Sequence, residues 1–202
     1  LLIHMRVNID KQGKKLAFNM IDSWNDVTMN KLERLLAYQD LPSIQKGLNI
    51  INLFSDIPKD IIKTLSITDV AKLLTYTEEL QAESDGTHKA TFTLNGIRYG
   101  FIPSLEDITL GEYADIETFI KDGVEKNLAN IMSVLFRPII EETEDYYIIE
   151  SYNGATQKAR RRLFMDMSAT QVHNAMVFFW SFVNSLYQTF KLSLVKKMSQ
   201  KE

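Results

Sequence analysis

Lys89-Ala90-Thr91-Phe92-Thr93-Leu94-Asn95-Gly96-Ile97-Arg98-Tyr99-Gly100-Phe101-Ile102, with Thr109-Leu110-Gly111-Glu112 shortly after it, is the stretch whose reading decides the fold. Two alternating runs, Lys89–Leu94 and Ile97–Ile102, flank Asn-Gly. Both turn residues tolerate positive φ, so the pattern predicts a β-hairpin. Thr109 and Glu112 then form a capping box: the hydroxyl takes the third amide and the carboxylate reaches back to the cap. The helix they open is predicted to run to about Lys121.

Upstream, the same order recurs. Ile3–Asp10 and Lys14–Met20 flank Gln12-Gly13 and read as a hairpin. Asp22–Asp26 is polar and turn-like, and Thr28 caps a helix to about Tyr38 whose inner face carries Leu32, Leu35 and Leu36. A displacement of 81 residues places Ile21 on Ile102, Ser23 on Ser104, Asp26 on Asp107 and Thr28 on Thr109. Trp24 then meets Leu105, and Leu35, Ile50 and Leu53 meet Ile116, Ile131 and Val134. Neither unit buries its faces alone. The sequence therefore predicts an α+β fold, predominantly α-helical, with two hairpin–turn–helix units over residues 1–83 and 84–202 packed as one domain.

Between the units, helices are expected over Ile44–Phe54, from Pro58 to Leu65, and from Asp69 to about Ala82, the last capped by Ser66 or Thr68. Beyond the second unit, Leu128–Phe136 reads as a helix ended by Pro138, and Tyr146–Ser151 as a short strand or a helix start. Ser168–Lys197 reads as a long, strongly apolar helix, with Val172, Ala175, Met176, Phe179, Phe182, Val183, Leu186 and Phe190 at helical spacing. Phe178, Trp180 and Tyr187 widen its apolar surface. A core helix and a core helix with a second, partner-docking face both fit. Polar interruptions at His173, Asn174, Asn184, Gln188 and Lys191 argue against a membrane span.

Composition narrows the chemistry. The chain has 202 residues and no cysteine, which excludes disulfides, thiolate metal sites and cysteine nucleophiles. Its net charge of −3 argues against a generally basic nucleic-acid binder. The opening run Leu1-Leu2-Ile3-His4-Met5 is too short for a signal peptide. The three histidines, His4, His88 and His173, lack the spacing of a metal-binding helix. Glu112, Asp115 and Glu117, and the acidic run Glu141, Glu142, Glu144 and Asp145, read as solvated faces and loops. There is no phosphate-binding glycine loop and no Gly-x-Ser-x-Gly elbow. No enzyme activity, cofactor or metal is expected. Lys158-Ala159-Arg160-Arg161-Arg162 is the one basic cluster, either a phosphate contact or the solvated start of a helix.

Four segments carry a family likeness. Ser23-Trp24-Asn25-Asp26-Val27-Thr28 resembles an "sWnelT" opening, and Ile108–Glu117 resembles an "lTlGqyidie" segment. Leu135-Phe136-Arg137-Pro138-Ile139 resembles an "LyRPi" segment, and Tyr147–Tyr152 the acidic-aromatic stretch after it. In this order they resemble a poorly characterised family of tailed-bacteriophage structural and morphogenesis proteins, over about Asp22 to Phe179. The start of the chain departs from that pattern. The resemblance implies a virion component of the capsid, neck or tail, assembled in the host cytoplasm and working in a homo- or hetero-oligomer with other phage structural proteins. A tail-assembly chaperone absent from the finished particle, and a DNA-associated protein using Lys158, Arg160, Arg161 and Arg162, are the alternatives. The candidate partner contacts are Arg137, Pro138, Tyr146, Tyr147, Tyr152, Phe178, Phe179, Trp180, Phe182, Tyr187 and Phe190.

Overall fold

The structure is a computed structural model. It describes the backbone of residues 4–11, 13–81 and 87–199, with side chains for 5–10, 13–80 and 87–184. Tyr187 and Phe190 therefore have side chains outside the described residues. The architecture is α+β and mainly helical, with two antiparallel sheets.

Strands β1 (His4–Lys11) and β2 (Lys14–Ile21) pair around Gly13, whose φ of 77° is open to glycine without strain. Met5, Val7 and Ile9 turn inward, while Arg6, Asn8 and Asp10 are exposed. Ser23 Oγ accepts from Asn25 N and starts a 3-10 turn over Trp24–Asp26. Trp24 is buried there against Phe54, with ring centroids 6.2 Å apart. Helix α1 (Met29–Ala37) follows with Thr28 as cap, then α2 (Ser43–Phe54), α3 (Lys59–Ile62) and α4 (Ile67–Gln81). Ser66 is the α4 cap: its hydroxyl accepts from Asp69 N at 3.1 Å.

Strands β3 (Thr91–Leu94) and β4 (Ile97–Phe101) turn at Asn95 and Gly96, with φ of 51° and 77°. A 3-10 turn over Leu105–Asp107 leads to α5 (Leu110–Lys121), whose capping box is fully formed, and then α6 (Val124–Leu135). Strands β5 (Phe136–Glu142) and β6 (Tyr147–Ile149) complete a four-stranded sheet in the order β3-β4-β5-β6. Helices α7 (Gly154–Phe164) and α8 (Ala169–Ser199) close the chain.

Helix α6 does not run to Phe136 with Pro138 as its stop. It ends at Leu135, and Phe136, Arg137 and Pro138 pair with Phe101, Gly100 and Tyr99. The residue before a proline is pushed into extended backbone, which accounts for Arg137. Phe136, one residue further back, is extended because it pairs with Phe101, so the helix ends one residue earlier than expected. Tyr147–Ile149 takes the strand option.

The main core forms between the second sheet and α5, α6, α7 and α8, around Tyr99, Phe101, Phe136, Phe164, Val172 and Phe179. Met29 of α1 also lies in it. Smaller apolar clusters join β1–β2 to α1, α2 and the α3–α4 region. The starts of α1 and α8 are tied together: Met29 N donates to Met167 O and Ala169 N to Val27 O, each at 2.7 Å. Among the described residues, no helix is long and apolar enough to cross a membrane.

Candidate functional site

Charged and tyrosine side chains converge where α5, β5 and the segment leading into α7 meet. The capping box starts the cluster. Glu112 Oε2 accepts from both Thr109 N and Thr109 Oγ1 at 2.6 Å. Its other oxygen accepts from Arg137 Nη1. The two side chains are only 3% and 7% exposed, so this ion pair is sealed from water. The guanidinium carbon of Arg137 lies 5.9 Å from the centre of the Tyr152 ring, within cation–π range. The Tyr152 hydroxyl donates to Asp115. Burial first, then that hydrogen bond and the nearby carboxylate charges, push the phenol well above its ordinary range.

This geometry corrects three readings of the sequence. Glu112 is not on a solvated face; it is buried by Arg137. Arg137 is not a surface contact, because its side chain turns inward. Arg160 is likewise buried: it donates to Glu150 at 2.7 Å and to Thr156 at 2.8 Å. The basic cluster sits in the middle and last turns of α7, not at a helix start, and leaves Lys158, Arg161 and Arg162 exposed. Beside it, Gln157 donates to Ser133 Oγ at 2.8 Å and to Asn130 Oδ1 at 3.3 Å, stitching α7 to α6, and Asn130 in turn donates to Asn127 within α6 at 2.8 Å. The arrangement holds elements in place by internally neutralised charge.

The surface candidates divide. Tyr147 is half-buried, donates to Phe101 O at 2.9 Å, and lies over Gly100, where an added Cβ would stand 2.5 Å from its ring. Pro138 is half-buried and Tyr152 is held by Asp115. Tyr146 is 51% exposed, and Ile140 and Ile148 beside it are 67% and 43% exposed. Sequence reading missed both isoleucines; Ile140 lies at an irregularity in β5–β6 pairing, which alternation alone does not reveal. Glu141, Glu142, Glu144 and Asp145 rim this hairpin and are exposed. On α8, Phe179 is buried in the core rather than presented outward, whereas Trp180 and Phe182 are half-buried. Phe178 is 45% exposed and stacks on His88, with centroids 4.5 Å apart. Burial lowers the His88 pKa.

The equivalent positions in the first half carry charges of the opposite sign and make different contacts. The displacement of 81 residues carries Lys31 onto Glu112, Arg34 onto Asp115 and Asp56 onto Arg137. Lys31 Nζ donates to Leu53 O at 2.5 Å, and burial and the Arg34 charge lower its pKa. Asp56 accepts from Asn19 N at 2.7 Å and Asn19 Nδ2 at 2.9 Å. These groups border an open cleft of about 340 Å³. A second cleft, of about 680 Å³, runs between Val7–Asp10 of β1 and Thr64–Ser66, Asp69, Lys72 and Leu73. Among the described residues, no group of three His, Asp or Glu side chains is placed to hold a metal ion. The chain matches no family model, no curated protein and no solved structure.

Proposed function

We propose that the chain is a non-enzymatic structural component of a tailed-phage virion, in its capsid, neck or tail, that works through stoichiometric protein–protein contacts. The observation that carries this reading is the exposed β5–β6 hairpin. Ile140, Tyr146 and Ile148 present apolar surface on it, within an acidic rim. Apolar centres ringed by charge are the usual anatomy of a protein interface. The exposed Val177 and Phe178 on α8 supply a second such surface. The resemblance of the four segments to phage structural and morphogenesis proteins points the same way.

In this reading the chain is built from two hairpin–helix units. The 3-10 turns at 24–26 and 105–107 and helices α2 and α6 share the same 81-residue displacement. So do the Met20–Ser55 bridge and the Phe101–Phe136 pair. The second unit's sheet is extended by its own β5–β6 hairpin, whereas among the described residues the first unit's sheet has two strands.

Mass spectrometry of purified phage particles, with copy number per particle, tests the role. A fixed multiple of a ring symmetry is the expected result. Abundance in infected lysate with absence from particles would favour an assembly chaperone. A DNA-associated role would appear as salt-dependent DNA binding lost on neutralising Arg161 and Arg162. Inward-turned Arg160 leaves that reading three exposed cations, Lys158, Arg161 and Arg162.

A further inference from the structure

The outer edge of β1 has a fixed phase. Asn19, which stands opposite Arg6, turns its N–H and C=O away from β1: the N–H meets Asp56 Oδ1 and the C=O accepts from Asp56 N. Arg6 and Asn19 are therefore a non-hydrogen-bonded pair. Alternation then makes Met5, Val7 and Ile9 the residues whose main-chain groups bond to β2. Arg6, Asn8 and Asp10 turn theirs outward. Among the described residues, none meets those outward groups. All three side chains are exposed, and the 680 Å³ cleft lies along this same edge.

We propose that this edge pairs with β1 of a second copy, antiparallel, about a two-fold axis through Asn8. The sequence of the edge is self-complementary in that register. Asn8 exchanges N–H and C=O bonds with the other Asn8. Arg6 of each copy stands opposite Asp10 of the other, giving two opposite-charge pairs on one face, and in no other antiparallel register do those two residues meet. Direct cross-strand charge pairs stabilise a sheet, and like charges there oppose it. Val7 faces Ile9 on the apolar side. Two-stranded sheets from two molecules become one four-stranded sheet in the order β2-β1-β1-β2. The contact is isologous, so it closes at two copies and leaves no free β1 edge.

The inference does not depend on the phage reading; it needs only the hairpin. The chain has no native cysteine, so Asn8→Cys introduces a single thiol. A hydrogen-bonded antiparallel pair sets its Cα atoms about 5.5 Å apart, inside the range a disulfide spans. Mild oxidation of the full-length Asn8→Cys chain is expected to give a covalent dimer, while Glu125→Cys, exposed and remote from β1, stays monomeric. In sedimentation equilibrium, Arg6→Asp sets like charges opposite each other and is expected to weaken the dimer about tenfold. Adding Asp10→Arg to Arg6→Asp restores it. Asn8→Pro removes one outward N–H without touching the inner ladder and dissociates the dimer, circular dichroism reporting whether the fold persists. A wild-type chain that sediments as a monomer up to its solubility limit overturns the proposal. A dimer indifferent to Arg6→Asp and to Asn8→Pro, or Asn8→Cys that oxidises no faster than Glu125→Cys, overturns it as well.

Discussion

At the scale of the residue, the Glu112–Arg137 pair is the most consequential interaction in the second half of the chain. Both groups have left water, so each depends on the other and on Thr109. Removing one partner of a buried pair typically costs about 3–5 kcal/mol, because the remaining charge is stranded. Arg137→Met should lower unfolding stability by that order in urea titrations. Arg137→Met with Glu112→Gln should lose less than Arg137→Met alone, since no charge is then left buried. Tyr152 supplies a pH signature. Its phenol is held neutral in the folded state, so its stabilisation is complete below the ordinary tyrosine value of about 10 and is lost as pH rises beyond it. Above pH about 10 the wild-type chain should therefore weaken more steeply than Tyr152→Phe; equal slopes there would show that Tyr152 contributes none of the loss. The capping half of this cluster was legible in the sequence, because Thr109 and Glu112 lie three residues apart on one local motif. The Arg137 half was not: nothing local links residues 25 positions apart, and an arginine beside a proline reads most simply as surface.

At the scale of the element, hairpins and caps followed from local chemistry and the later strands did not. Asn95-Gly96 adopts the positive φ values that its residues tolerate, and Gly13 does the same. The end of α6 and the start of β5 were obscured because an apolar run, Leu128–Phe136, fits a buried helix and a buried strand equally well by periodicity. What separates them is pairing with β4, a non-local interaction. Gly100 shows how closely β4 and β6 are fitted. Its missing side chain leaves room for the Tyr147 ring, whose hydroxyl reaches Phe101 O. Gly100→Ala should push Tyr147 away and cost about 1–3 kcal/mol, the usual range for overpacking. Hydrogen exchange should then quicken at Glu150 N, which bonds to Pro138 O, while β1–β2 amides stay unchanged. Combining Gly100→Ala with Tyr147→Ala should add little further loss. Simple additivity of the two would show that the ring does not depend on the glycine.

At the scale of the whole molecule, the question is whether the two halves unfold together. Met29, from the first half, is fully buried in the core otherwise built from the second sheet and α5 to α8. Main-chain bonds join Val27 and Met29 to Ala169 and Met167, so α8 starts on α1 rather than on its own neighbour α7. Opposing this, β1, β2, α2 and α4 have apolar clusters of their own. Shared burial at the α1–α8 junction favours a single cooperative transition, because neither half can open without exposing Met29 to water. The chain contains two tryptophans, and they report separately: Trp24 sits in the first half and Trp180 on α8. Single-tryptophan variants, Trp24→Phe and Trp180→Phe, should unfold in urea with coincident midpoints once each is corrected for its own stability by circular dichroism. Met29→Ala in either background should move both reporters together, by about 2–5 kcal/mol, as expected for emptying a buried methionine site. If Met29→Ala shifts the Trp24 transition and leaves that of Trp180 in place, the halves are separate folding units, and the α1–α8 junction is a contact between domains rather than part of one core.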